Sequence, residues 1–417
     1  MSPLGLALTW AGAGVLGGAM LPRLHRRRLA WIVVLGAALA GLAAAPAATW
    51  PGPAASHAYG ASLVLGRPAL GLLVAGGIAL AATLAIAPHL EGAESLAACL
   101  VVSACVVVLG ATVPIIWGLA VALAAAVLAL RWIAAAPGRA TLAAGRVMGL
   151  GGAVLVGAAV FVPAAGPAVD NRTALAGGLL AGGVCAQLAL VPLGGWAPSV
   201  ARAVSGADLA PWVMLLAPSV LLTAGVLLPA LPGGARVPLA NVLLVLGLAS
   251  AVFGAVQAAR ASPAVRYSRV VIADLALVAA GLGTGHTAGR LGGLVLILAQ
   301  LCAGPLLVHP ARPGLGRQRA LAWLSLTGLP PTPAFWGRFL VLEGCAAASG
   351  TALAAGMVAS AGLLIAAVRA LTLPGDAAEG TPPGRLVRAV TWAVALASIS
   401  LGFAPDAITT GVFGAIM

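Results

Sequence analysis

The sequence predicts an all-α integral membrane protein of about fourteen transmembrane helices, built as two inverted five-helix repeats whose seventh and twelfth helices are broken. Three observations carry this prediction. Of 417 residues, 62% are hydrophobic and only 7% charged, where a soluble domain has about 25%. Apolar runs of about 20 residues, the length that crosses a bilayer, follow one another along the whole chain. The arginines between those runs alternate in number from one connection to the next.

The runs in the first half fall at 3–22, 29–47, 66–88, 95–112, 113–131, 146–165 and 173–197. Those in the second half fall at 209–231, 237–259, 267–285, 289–308, 319–345, 349–371 and 387–404. The first is not read as a signal peptide, because its basic cluster, Arg23 to Arg28, follows the apolar run instead of preceding it. Grouped by function, residues 1–94 hold the first three helices and 95–231 a first repeat. Residues 232–371 hold a second repeat, and 372–417 the last helix.

All 22 basic residues are Arg, against nine acids. They stand singly or in short clusters between apolar runs, with no basic domain and no interleaved aromatics, which excludes a nucleic-acid-binding protein. Connections after odd-numbered segments carry 17 Arg. Those after even-numbered segments carry four (Arg67, Arg172, Arg236 and Arg290), and Arg338 lies inside a segment. The positive-inside rule then places the odd connections in the cytoplasm and both termini on the other side. Heavy use of Ala, Gly and Arg fits a GC-rich bacterial genome, and the expected location is a bacterial inner membrane.

Segment seven contains Pro192 followed by Gly194 and Gly195, and segment twelve contains Gly328, Pro330, Pro331 and Pro333. Proline removes a backbone donor and clashes with the preceding turn. Interruptions at corresponding places in two halves point to an inverted-repeat transporter fold with an ion route near the midplane. Segments four to eight and nine to thirteen would be the repeats, with the breaks at the fourth position of each. An ordinary proline kink is the plain alternative for either break taken alone.

Three stretches carry a family resemblance. Leu190 to Ala201, containing Pro192, Trp196 and Pro198, is similar to the "vPfHxWLPdA" stretch of the antiporter-like membrane subunits of respiratory complex I, Mrp-type cation/proton antiporters and membrane-bound hydrogenases. Val265-Arg266-Tyr267-Ser268 resembles their "lAYSS" stretch. Leu324 to Phe339, through Gly328, Pro330, Pro331, Pro333 and Arg338, resembles "lSlaGiPPtpGFxgKf" around the broken twelfth helix. The resemblance spans about residues 185–345. It implies a fourteen-helix fold with a proton path along a central polar axis, and membrane subunits of the same complex as partners. The parent would be a redox-driven ion-translocating complex of the NADH–quinone oxidoreductase or hydrogenase type, or an Mrp-type antiporter, moving protons or Na+. Any redox cofactors would sit in those partners and none in this chain.

The departures from the family pattern concern the axis itself. A proton crosses hydrocarbon only along ionisable or hydrogen-bonding groups and water. The family uses a Glu on the fifth helix and Lys on the seventh, eighth and twelfth. Here segment five has no acid, and the seventh-helix position, five residues before Pro192, is Gln187. The eighth-helix position, before Ala224, is Thr223, and the motif His is Gly194. The twelfth-helix cation is Arg338, which is effectively always charged and cannot release a proton as a buried Lys can.

Arg338 reads either as a retained station of the ion axis or as half of a structural pair. Asp274 in segment ten reads as a proton-carrying carboxylate, or as a static partner of Arg269 or Arg338. Glu343 lies about 500° of helical rotation beyond Arg338 and so on another face, towards the outer surface. Gln187 and Thr223 read as remnants of the axis or as hydrogen-bond glue between helices. Asp208 favours a helix N-terminus, and Tyr267 and Ser268 a helix start. The five His, His309 among them, fall in or near connections as solvated loop residues. Neither they nor the five Cys have metal-ligand spacing, and no catalytic motif for small-molecule chemistry is present. Near-total loss of titratable residues favours a non-conducting scaffold. The alternatives are a conducting subunit using water, Arg338 and Asp274, and an independent secondary transporter. Reporter fusions in the Arg312–Arg319 connection are expected to report the cytoplasm; a signal from the opposite side overturns the helix count.

Overall fold

The computed structural model describes residues 54–58, 61–65, 67–87, 92–162, 171–372 and 383–403. The first two sequence segments lie outside the described residues. Before the first described helix stands a short antiparallel hairpin, β1 (Ala54–Ala58) with β2 (Ala61–Leu65), Ala54 opposite Leu65. The hydropathy pattern marks no element there, because a ten-residue hairpin has neither the length nor the apolar content of a membrane span.

The chain then forms α1 (Arg67–Ile86), α2 (Gly92–Gly110), α3 (Pro114–Ala135), α4 (Arg139–Phe161) and the first broken pair, α5 (Asn171–Gln187) and α6 (Trp196–Ala203). Next come α7 (Gly206–Ala230), which includes a π turn at Trp212–Leu216, and α8 (Gly233–Arg260), α9 (Pro263–Gly283) and α10 (Thr287–Leu307). The second broken pair is α11 (Gly316–Ser325) and α12 (Pro333–Ala348), followed by α13 (Gly350–Thr372) and α14 (Arg385–Ser400). Seven of these helices are long and apolar enough to cross a membrane unbroken, and shorter apolar stretches lie at Leu96–Gly110 and Val387–Phe403. Leu119, Leu123 and Leu130 on α3 and Val245 and Phe253 on α8 are exposed, as befits helices whose outer faces meet lipid rather than water.

The order of packing repeats. In the first half α2 packs on α3, α3 on α4, and α4 on both pieces of the broken pair; α7 closes back on α2. In the second half α8 packs on α9, α9 on α10, and α10 on both pieces of its broken pair; α13 closes back on α8. The two halves run in opposite senses. α2 begins, and α8 ends, at one common end of the bundle, where Glu94 and Ser262 line the same cavity. The repeats are therefore inverted, as the paired breaks predicted.

Close helix approach rests on glycine. A Cβ on Gly292 of α10 would lie 2.6 Å from both the Gly337 carbonyl and the Val341 nitrogen of α12. No side-chain motion relieves a clash with backbone, so α10 and α12 touch as closely as they do only because position 292 has no side chain.

Candidate functional site

Both broken segments leave backbone carbonyls without their helical donors, and each unsatisfied group at membrane depth costs several kcal/mol. In segment twelve the missing donors are Pro330 and Pro331, which have no N–H. An unbroken helix would bond them to the carbonyls of Leu326 and Thr327, four residues earlier. Those two carbonyls instead accept from Arg338: Nη2 donates to Leu326 at 3.0 Å and Nη1 to Thr327 at 3.0 Å. The guanidinium thus takes the place of two peptide N–H groups. Gly328 makes room for it, at φ +74° and with Arg338 Nη1 only 2.5 Å from where a Cβ would stand. Both break regions contain a cis X–Pro bond, at Val191–Pro192 and Pro330–Pro331.

A guanidinium 4% exposed demands a counter-charge, and Asp274 supplies it. The Arg338 Nη2 to Asp274 Oδ1 distance is 3.1 Å. Asp274 Oδ2 accepts from Gln300 Nε2 at 3.1 Å. Both carboxylate oxygens are thus engaged, from helices α10 and α12, and Asp274 is 1% exposed. Of the two sequence-stated partners for Asp274, the structure selects Arg338. Gln300 escaped the sequence reading, although a lone amide inside the apolar run of α10 was a visible signal.

Segment seven solves the same problem without charge. The Ala186 carbonyl accepts from the Trp196 indole at 3.2 Å, and the Gln187 carbonyl accepts from the Trp212 indole at 3.0 Å. Ser250 Oγ of α8 accepts the Val191 N–H at 2.9 Å. The indoles of Trp132, Trp196 and Trp212 stack into one cluster, with successive centroids 5.7 and 5.1 Å apart. Pro192 and Gly194 form the turn that lets Trp196 point back at the carbonyls. Among the described residues, no Asp, Glu, Arg or His side chain caps a carbonyl of this break.

The other axis candidates are held apart from one another. Gln187 Nε2 donates to the Met148 carbonyl of α4 at 2.8 Å, and Thr223 Oγ1 donates to the Val108 carbonyl of α2 at 3.1 Å. Each hydrogen bond joins two neighbouring helices. Glu343 is exposed on another face of α12 from Arg338 and takes no part in the pair. Tyr267 is buried in the first turns of α9, edge-on to Trp323, and Ser268 donates to the Val265 carbonyl at 2.9 Å.

A second charged cluster lies at the end of the bundle where α2 begins. Arg131 pairs with Asp208 at 2.6 Å and with Glu94 at 3.7 Å. Ser205 Oγ bridges the two carboxylates at 2.9 and 3.0 Å. Asp208 does stand in the first turn of α7, but the cap is Ser205, which accepts the Asp208 N–H at 3.1 Å. These groups line a cavity of 1290 Å³ together with Arg202, Arg266, Arg312 and Arg319. Its walls come from the connections after sequence segments three, five, seven, nine, eleven and thirteen, so all of the odd connections described meet at one end of the bundle.

His309 is corrected by the structure. It is not a solvated loop residue but is 4% exposed, because the connection after α10 tucks under the C-terminus of α1. Its Nε2 lies 2.9 Å from the Thr83 carbonyl. A carbonyl only accepts, so Nε2 carries the proton and Nδ1, facing Gly206, carries none. Burial, then the nearby Arg319 and Arg312 charges, push its pKa down to about 4, against the raising effect of the Thr83 bond. Among the described residues no three His, Cys, Asp or Glu side chains converge as a metal site.

The bundle is thus defined as an inverted-repeat membrane protein with two differently capped helix breaks, and it has the fold of the antiporter-like subunits of complex I-related assemblies. It is similar to a chain of respiratory complex I from Thermus thermophilus solved with bound NADH. The TM-score is 0.84 at 19% identity, covering 99% of this chain and 98% of that one. It is similar to a chain of the Mrp complex from Dietzia sp. DQ12-45-1b, with TM-score 0.85 at 16% identity, covering 99% of this chain and 51% of that one. It is also similar to a chain of the membrane-bound sulfane sulfur reductase, an archaeal respiratory membrane complex, with TM-score 0.82 at 15% identity over 98% and 96%. No family model and no curated protein sequence matches the chain.

Two outcomes follow from this geometry. Arg338→Met leaves Asp274 charged and buried, and is expected to cost about 3–5 kcal/mol. The double variant Arg338→Met/Asp274→Leu is expected to cost much less, a coupling read from thermal unfolding of the purified protein. For His309, the folded pKa is depressed, so its contribution to stability is full above its ordinary value of 6.5 and is lost as pH falls towards 4. That loss, on the order of 3 kcal/mol, is expected to shrink in His309→Gln, which keeps a donor for Thr83 but does not titrate.

Proposed function

We propose that this chain is an antiporter-like membrane subunit of a complex I-related, multi-subunit assembly, in which it serves as a non-conducting scaffold between neighbouring membrane subunits. The fold supports the first half of this reading. The Arg338–Asp274–Gln300 group carries the second. Relay of protons needs a group that gains and loses one at accessible cost. An arginine side chain is a poor proton carrier in general, two of the Arg338 nitrogens hold the carbonyls of a broken helix, and the acid beside it has both oxygens bonded. Gln187 and Thr223 hold helices together through amide and hydroxyl groups that never change charge.

In this role the chain keeps the shape of the fold and its lipid- and partner-facing surfaces. Residues 95–231 and 232–371 act as its two five-helix units, flanked by 1–94 and 372–417. The orientation that fits the arginine distribution puts the charged cavity in the cytoplasm and both termini on the opposite side of a bacterial inner membrane. Ion movement and redox chemistry belong to its partners.

The test is proton flux in proteoliposomes containing the purified parent assembly, comparing wild type with Asp274→Asn and with Arg338→Met/Asp274→Leu. Flux is expected to stay within about twofold of wild type, a change in barrier of under roughly 0.5 kcal/mol. A tenfold loss with the assembly intact overturns the scaffold and makes the pair a conducting station.

A further inference from the structure

Among the described residues, the 1290 Å³ cavity holds more arginines than carboxylates. Five arginines of the described residues line it, with Glu94 and Asp208 as their acids, and both of those acids are engaged with Arg131. The other four arginines have no carboxylate within ion-pair distance among the described residues. Three of them are held in place by helix ends. Arg312 Nη1 donates to Ile86 at the C-terminus of α1 at 2.8 Å, and Arg319 Nη1 to Leu306 of α10 at 2.6 Å. Arg266 Nη2 donates to Ala261 after α8 at 3.1 Å. A cation at a helix C-terminus is favourable, which accounts for one or two N–H groups on each. The rest of each guanidinium remains.

Arg266 makes the deficit concrete. It is 4% exposed, it lines the cavity, and its Nε is buried with no hydrogen-bond partner. A buried guanidinium group of this kind costs several kcal/mol unless an anion meets it. The cavity is lined by the ends of the membrane helices, and helices that span a bilayer end near its headgroups. Pockets lined with arginine between transmembrane helices recognise phosphate, because the planar guanidinium fork matches its oxygens two at a time.

We propose that this cavity is a phosphate-binding site, filled by the headgroup phosphate of an anionic lipid or by a phosphate ion from the adjoining water. Arg266 and Arg202 contact the anion from the α9 and α6 sides, while Arg312 and Arg319 face it from the connection after α10. The site stands on the cavity and its charges and is independent of whether the chain conducts ions.

The experiment uses the full chain in nanodiscs of phosphatidylcholine. One arm adds phosphatidylglycerol to the nanodisc; the other adds inorganic phosphate in place of chloride at equal ionic strength. Wild type is expected to gain several degrees in Tm in at least one arm. Arg266→Gln and Arg202→Gln are each expected to lose half or more of that gain. A response to phosphatidylglycerol alone identifies the lipid as the source, a response to inorganic phosphate alone identifies the free ion, and a response to both shows that the site accepts either. The proposal is overturned if neither arm exceeds its control, or if Arg202→Gln responds as fully as wild type. Arg202 is exposed at the last turn of α6, so that variant decides the matter even where Arg266→Gln fails to fold.

Discussion

Peptide carbonyls cannot be left bare inside a bilayer, and the interior of this protein is organised around the few that its two helix breaks strip of partners. Pro330 and Pro331 free two adjacent carbonyls in segment twelve, and Arg338 reaches both. Everything charged at that depth follows. The guanidinium requires a carboxylate, Asp274 provides one, and Gln300 takes up the oxygen that Arg338 leaves open. Remove the prolines from the scheme and none of the three polar side chains has a reason to be buried.

The first repeat meets the same constraint with a different chemistry. Trp196 and Trp212 each offer one N–H to the carbonyls at the segment-seven break, and their ring bodies fill the space around it. An indole brings a donor with no charge, so no acid is needed opposite, and segment five carries none. Two inverted halves of one fold thus hold equivalent breaks by unlike means. Gln187 and Thr223, whose side chains belong to neither break's capping group, donate to carbonyls of α4 and α2.

The described helices, from the third segment onward, the inverted repeats and the position of both breaks were legible in the sequence, because each depends on local facts: the length of an apolar run and the missing N–H of Pro192 or Pro330. Arg338 and Asp274 were legible as isolated charges in apolar surroundings. Their pairing was one of two options, since 64 residues separate them and only the packing of α9 against α12 brings them together. Trp196 was marked only as part of a family-like stretch and Trp212 not at all, because nothing local shows where an indole N–H will point. His309 looked solvated for a similar reason: the α1 terminus that covers it is 226 residues away in the chain. The Glu94–Arg131–Asp208 cluster draws on three different helices, and no spacing along the chain announces it.

The neutrality of the two helix breaks has an electrical consequence. An elementary charge carried across a membrane held at 100 mV gains or loses about 2.3 kcal/mol. In this bundle the Arg338 and Asp274 charges cancel within 3.1 Å of each other, and the other break is capped by indoles that carry none. The two helix breaks therefore offer the transmembrane voltage no net charge to push, and a rising potential does no work on them.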